Sequence, residues 1–535
     1  MPLTDILSAV RWWAILTLLG LVALPLVYAL LRPLADRGYA FSKMAGLLLV
    51  SFVFWLAGSL GLADNDGGGA QLALLVVGAA SWLAYRRRAP GDAPLGAWLR
   101  ANRTAVLAAE LIFVVVFALW VWVRAQNPAI ANTEKPMEFA FLNGVTLSPA
   151  FPPLDPWLAG YGISYYYFGY VMTSLLARLA VVPTAVAFNL ALAWLVAGAA
   201  VGAFGVVYNL IAGRIRNYEL GIRNQEERAE SRGVAGAWER VVRRAVVMGV
   251  IAAAAVPLAG NLQIGLEVLH GNGVGPDGFW QWLDVRDISG PAVGDGTPRY
   301  LTSEWWWWRT SRVIHEYYLS GRAEEGLEPI VEVPAFSYVL GDLHPHVLAL
   351  PFAFLSLAVA LTWWLKVRAR PPASGEAEAM PILAWLRADL AAVGWPLWLF
   401  TALVLGGLSF LNTWDVLIHL FVILGAFFLA RWHGQGHSRA LWARAALMGV
   451  LLVAAAVVLY LPFYLGFRSQ AGPPFLLPML MRPTRLAHYA IIFCLPLTAI
   501  TVFLVALAAR RRFAHWQTGV AVAAAVVGGL FLLLL

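Results

Sequence analysis

Runs of roughly 18–28 apolar residues recur from one end of this chain to the other. As helix, a run of that length covers ~30 Å, the hydrocarbon thickness of a bilayer. A helix closes its own backbone hydrogen bonds, so such runs cross membranes without leaving peptide groups unpaired. The alternating pattern of a membrane β-barrel is absent. Composition agrees: 61% of the 535 residues are hydrophobic and 13% charged, against about 45–50% and about 25% in a soluble domain. The expected fold class is an all-α, polytopic integral membrane protein with about 12–13 transmembrane helices and large outer loops.

The runs place spans at 12–31, 42–62, 70–84, 105–123, 161–182, 184–211, 244–262, 337–365, 393–410, 412–430, 445–465, 487–509 and 516–535. The first lacks a small-residue cleavage site and reads as a retained span. Five regions follow: N-terminal spans (1–123), a first outer loop (124–183), spans with a basic loop (184–262), a Trp-rich outer loop (263–335) and a C-terminal bundle (336–535). The single cysteine, Cys494, excludes intrachain disulfides and multi-cysteine metal sites.

The net charge of +8 is spread through short loops, which implies no nucleic-acid partner and instead orients the chain. Arg32, Arg37 and Lys43, then Arg86 to Arg88, then Lys366, Arg368 and Arg370, then Arg510 to Arg512, follow successive spans. The positive-inside rule makes these cytoplasmic and puts 124–160, 263–335 and 466–486 outside a cell membrane. The basic 212–243 segment fits only if 161–182 does not cross completely. That leaves twelve spans, or thirteen if the charge rule fails there.

Polar residues capable of chemistry gather in three blocks on the outer side. The first, Asn132 to Tyr170, holds Glu134, Glu138 and Asp155 among five prolines and ends in Tyr165, Tyr166 and Tyr167. The prolines argue for an ordered, irregular loop. The tyrosines read as an interfacial belt or as part of a site. The second block carries four tryptophans, Trp305 to Trp308, then Arg309 and Arg312, then Asp342, His344 and His346 entering an apolar stretch. Ionisable groups within apolar spans cost roughly 2.5–3.5 kcal/mol and mark function by default. Asp342, His344 and His346 also have divalent-metal ligand chemistry, although Pro345 breaks helical spacing and no standard zinc pattern fits. The cofactor stays open, with a divalent cation the one candidate. The tryptophans read as an interfacial anchor or a sugar-stacking platform. The third block is LNTWD, with Asn412 and Asp415, where turn chemistry is the ordinary explanation. His419 lies one helical turn beyond Asp415. In the next outer loop Arg482, with Arg468 and Arg485, suits a phosphate, which guanidinium binds bidentately.

Together these blocks resemble the uncharacterised YYY-motif membrane protein family. The matching stretches are EKPMEFAFLN (134–143), FPPLDPWLAGYGISYYYFGY (151–170), WWRTSRVI (307–314), EVPAFSYVLGDLHPHVLALPF (332–352) and LNTWD (411–415). YYYFG and GDLHPH are the specific parts. The family usually has Asp where this chain has Glu138. Such proteins look like distant members of the GT-C superfamily of polytopic glycosyltransferases. What the resemblance implies is a GT-C-like fold and transfer of a sugar from a polyprenyl-phosphate donor on the outer face. A first-block carboxylate would be the base: Glu138, whose place matches the family's Asp, then Glu134 and Asp155. Tyr165, Tyr166, Tyr167, Asp342, His344, His346, Asn412, Asp415, Arg309, Arg312 and Arg482 would bind substrate. The other class of function that fits is a lipid or solute transporter or flippase. Against it, no internal repeat is evident, and transporters are often built from repeats. Membrane lipids are partners under either reading.

Overall fold

The computed structural model describes residues 2–87, 91–223, 231–292, 306–317, 329–370, 382–436, 438–468, 484–510 and 516–533. These form helices joined by turns, and no strand forms among them; Leu154 and Gly162 make an isolated antiparallel bridge. Nine helices among the described residues are long and apolar enough to cross a membrane: Leu3–Leu30, Tyr39–Ser59, Gly67–Arg86, Arg103–Gln126, Thr184–Gly213, Glu239–Leu258, Pro345–Arg368, Thr413–Gly434 and Arg439–Leu459. Two bent pairs, Ala384–Val393 with Trp395–Leu411 and Leu486–Ile492 with Cys494–Ala509, raise the number to 11. The last apolar run forms a helix over Trp516–Leu533 and extends past the described residues. The twelve or thirteen spans read from the sequence are thus nine to eleven here, with that helix in addition.

Local chemistry sets several boundaries. Asp66 caps the Gly67–Arg86 helix by accepting from Gly69 N at 2.8 Å, and Ser438 caps Arg439–Leu459 by accepting from Leu441 N. Gly394, at φ +85°, separates Ile382–Val393 from Trp395–Leu411, and Pro396 starts the second helix near its first turn. The chain turns there by 82°, so the first helix of the pair lies across the direction of the second.

Two compact units form, Met1–Pro257 with Gly341–Arg468 and Leu258–Leu340 with Ser469–Leu535. In the first, the Thr184–Gly213 span is almost wholly buried, while Gly67–Arg86, Arg103–Gln126 and Thr413–Gly434 present much of their apolar surface outward. That outward surface suits lipid, the natural solvent for exposed Leu, Val and Trp on a spanning helix. Pro345–Arg368 packs along Thr413–Gln435 and against the buried span. An aromatic cluster of Trp55, Tyr167, Phe168, Phe410, Tyr460 and Phe463 fills the core.

The spans of this unit alternate between two ends. At one end Arg32 and Arg37 pair with Asp92, and Asp36 accepts from Asn209 Nδ2 at 2.8 Å. At the other, Asn65 Nδ2 donates to the carbonyls of Val145 and Ser148, and Arg124 Nε donates to Asn189 Oδ1 at 3.0 Å. Arg124 closes one span and Asn189 opens the next, so the intervening 127–183 stretch leaves and re-enters at the same end. The helix inside it, Phe168–Ala180, has 13 residues, or about 20 Å, short of the ~30 Å a crossing needs. The basic 212–243 segment begins at the Arg32 end for this reason.

Sidedness is testable with thiol probes on a Cys494→Ala background. Leu158→Cys, exposed in the first-block loop, is expected to react with an impermeant maleimide on intact cells. Ala93→Cys, beside Asp92, is expected to react only after permeabilisation. The reverse pattern would overturn the positive-inside orientation.

The second unit builds a small core from Trp280, Leu283, Val285, Ile288, Val313, Ile491 and Ile492. The 263–335 stretch is therefore more than a loop: it contains helices over Gln263–Gly271 and Asp277–Leu283 and a 3-10 turn over Trp306–Ser311. Trp305 lies outside the described residues. Trp307 and Trp308 pack on Phe336 within the unit, at 5.4 and 5.7 Å between ring centres.

Candidate functional site

The first and second polar blocks meet in the first unit. The segment Glu134 to Leu147 forms a helix over Lys135–Leu147, with Pro136 in its first turn, where a missing N–H costs nothing. One turn in, Glu138 is fully buried. Its Oε2 accepts from the backbone N–H of Leu343 at 2.6 Å, bridging 205 residues of sequence. Tyr170 OH approaches the Leu343 carbonyl from below at 3.5 Å. The GDLHPH turn is thus clamped on both its backbone polar groups.

That clamp presents the next residues. His344 precedes Pro345, the first residue of the Pro345–Arg368 helix. Its Nε2 lies 3.1 Å from Glu134 Oε2, and its Nδ1 lies 2.7 Å from His346 Nδ1. Here the side chains open outward: Glu134 is 51% and His344 29% exposed. One imidazole nitrogen of the histidine pair must carry a proton for the contact to be a hydrogen bond. Glu134, His344 and His346 form a continuous polar line, and Asp415, itself held by the Asn412 side chain, feels the charge of His346. The third block stands at the start of the Thr413–Gln435 helix, which packs along the Pro345–Arg368 helix that carries His346. His419 is buried on the same helix as Asp415, with Nδ1 lacking a hydrogen-bond partner.

Two cations complete the site, and neither was given a role from sequence. Arg124, from the last turn of Arg103–Gln126, is buried, and its Nη2 has no hydrogen-bond partner. Lys135 is also buried and interacts electrostatically with Arg124, Asp342 and Glu138. Burial, reinforced by the Arg124 charge, pushes the Lys135 ammonium below its usual pKa, while Asp342 and Glu138 oppose that shift. Gly341 makes the approach possible. At φ +76° it occupies a conformation that side chains rarely adopt, and a Cβ there would stand 2.5 Å from Arg124 Nη1. The Pro345–Arg368 and Thr413–Gln435 helices both begin at this end, so their partial positive charges add to those of the two cations. A cavity of about 420 Å³ opens beside Arg124, lined by Asp5, Val121, Pro128, Ile130, Ala185 and Asn189 among others.

The tyrosine triplet divides. Tyr165 is half-buried, stacks on Phe141 at 5.4 Å and senses the charges of Glu134, Glu138 and Asp342. Burial first, and those carboxylates next, hold its phenol well above the ordinary range. Tyr166, also half-buried, leans on Phe467. Tyr167 belongs to the aromatic core: its hydroxyl accepts from Trp55 Nε1 at 3.3 Å, and burial pushes its pKa up to about 12.

Other expected residues stand elsewhere. Asp155 Oδ1 accepts from the N–H groups of Trp157 and Leu158 at 2.8 and 2.9 Å, which ties down its own turn. Arg309 and Arg312 belong to the second unit. Arg309 forms a two-pronged ion pair with Glu267 at 2.7 and 2.9 Å; Arg312 donates to Ser311 Oγ and lies over the Trp308 ring. Arg482 lies outside the described residues. Arg468 meets Ser164 through its backbone, and Arg485 pairs with Asp284 in the second unit. Among the described residues no group of three or more His, Cys, Asp or Glu side chains is arranged to hold a metal ion. His344 and His346 meet each other, His344 meets Glu134, and Asp342 lies among the charges of Arg124 and Lys135.

A family model described as Uncharacterized membrane protein (DUF2298) matches residues 49–535. No curated protein and no solved structure matches the chain.

Proposed function

The chain belongs to that uncharacterised membrane protein family, and from this premise we propose that it is a membrane transferase taking a sugar from a polyprenyl-phosphate carrier. The observation that carries the proposal is the convergence, at one end of the first unit, of an exposed Glu134–His344–His346 line with the buried cations Arg124 and Lys135. The first group can accept a proton; the second can hold a leaving phosphate. Glu134 takes the proton of an acceptor hydroxyl while a C–O bond forms at the anomeric carbon. The bond from that carbon to the carrier phosphate breaks, and Arg124 and Lys135 offset the charge left on the phosphate. Glu138, the base favoured on family position, is enclosed and committed to Leu343 N–H. It is better suited to fixing the GDLHPH turn, which transfers the role of base to Glu134. Tyr165 offers a ring face for a sugar.

The alternative, a lipid or solute transporter or flippase, draws on one observation of its own: a large cavity at the opposite, Arg32 end of the same unit. The deciding experiment supplies purified protein in proteoliposomes with radiolabelled polyprenyl-phosphate sugars and a panel of hydroxyl acceptors. Labelled product, released only when donor and acceptor are both present, is the expected result. Movement of intact donor between leaflets without product would establish the transporter instead.

A further inference from the structure

A cavity at the Arg32 end of the first unit has a volume of about 1630 Å³. Its walls are apolar, with Leu30, Leu83, Leu361, Leu365, Phe400 and Leu403 among them. Its rim is cationic. Arg32, Arg37, Arg87, Lys366, Arg368 and Arg370 line it, against Asp92 as the single carboxylate among the described lining residues. Asp92 is already taken by Arg32 Nε at 2.9 Å and Arg37 Nη2 at 3.0 Å. Arg37 Nη1 is buried there without a hydrogen-bond partner. The charges acting on Lys366 are those of Arg370 and Arg32, both of its own sign. Arg370 Nη1 donates to the Ala391 carbonyl at 2.6 Å and Arg368 Nη2 lies 3.2 Å from His433 Nε2; these neutral partners leave the like charges of the rim repelling one another, and an anion among them relieves that repulsion.

We propose that this cavity holds an anionic glycerophospholipid of the surrounding membrane, its phosphate within the cation ring and an acyl chain along the leucine walls. The volume exceeds the roughly 300–1,000 Å³ of small-molecule sites, which suits a chain as well as a headgroup. Free phosphate would satisfy the ring and leave the apolar walls wet. A zwitterionic lipid would bring its own cation against six others. Basic pockets between membrane helices are a known way of recognising anionic headgroups. The site is at the opposite end of the unit from Glu134 and does not depend on the transferase reading.

Native mass spectrometry of the full-length protein in detergent tests this, with phosphatidylglycerol, phosphatidylcholine and inorganic phosphate offered separately. Phosphatidylglycerol is expected to stay bound, phosphatidylcholine to be weakly held, and phosphate not to displace the lipid. Neutralising Arg87 and Lys366, by Arg87→Gln with Lys366→Gln, is expected to weaken phosphatidylglycerol about fivefold for each cation lost. Lys366→Arg is expected to restore most of that lysine's share. Should the double variant fail to fold, wild-type protein gives the same answer: its preference for phosphatidylglycerol must fall as salt rises. Equal retention of both lipids, a preference indifferent to salt, or phosphate binding that excludes lipid would each overturn the proposal.

Discussion

Glu134→Gln is expected to lower sugar transfer by about 10²–10⁴-fold, the usual contribution of a general base. The amide keeps the shape and can still contact His344, so binding of the lipid donor should survive while turnover falls. Glu138→Gln is a different perturbation. It weakens a charge-assisted bond to Leu343 N–H and removes a charge near Lys135, so it should alter donor affinity together with turnover and increase hydrogen exchange over 341–346. Asp155→Asn keeps an acceptor for its own turn and should cost little. His344→Ala removes a partner of both Glu134 and His346; if the histidines act only as hydrogen-bond partners, chelators will leave wild-type activity untouched. Transfer at the wild-type rate by Glu134→Gln, with loss confined to Glu138→Gln, would return the role of base to Glu138.

Asp389→Asn is expected to be the most destabilising single change in the first unit. Asp389 sits buried between Arg444, at 2.8 Å from Nε to Oδ2, and Arg431, at 2.9 Å. The Arg444 guanidinium also lies 3.9 Å above the Trp385 ring. Three helices meet at this group: Ile382–Val393, Thr413–Gln435 and Arg439–Leu459. Removing the carboxylate charge leaves two buried guanidiniums facing each other, and breaking such a cluster costs about 3–5 kcal/mol. Thermal unfolding in detergent should show a large drop in midpoint. Replacing all three residues by apolar ones of similar volume should recover much of it, because the desolvation penalty disappears with the charges. An unchanged midpoint for Asp389→Asn would show that the triad carries no stability.

The spans were legible because run length alone fixes them. The 161–182 run was not, since its composition fits a crossing helix as well as a short packed one. The helix begins only at Phe168, after the tyrosines, and ends before Pro183. The sequence places the polar blocks on one membrane face, but the contact of Glu134 with His344 at 3.1 Å depends on how the chain packs. Arg124 was overlooked because a cation at a span end has an ordinary explanation as an anchor. Its role depends on Gly341, which is 217 positions away and revealed only by packing. Asp155 offered a clue in retrospect: an Asp two and three residues before free N–H groups commonly caps its own turn. Tyr167 had no such signal, because nothing local distinguishes it from Tyr165 and Tyr166.

The Phe168–Ala180 helix owes its seat to a missing side chain. Leu175 and Leu176 on it are fully enclosed, and a Cβ at Gly169 would collide with Leu348 Cδ1. The distance between this helix and the one that opens at Pro345 is therefore set by glycine, and any larger residue at 169 would push apart the two helices that flank the GDLHPH turn.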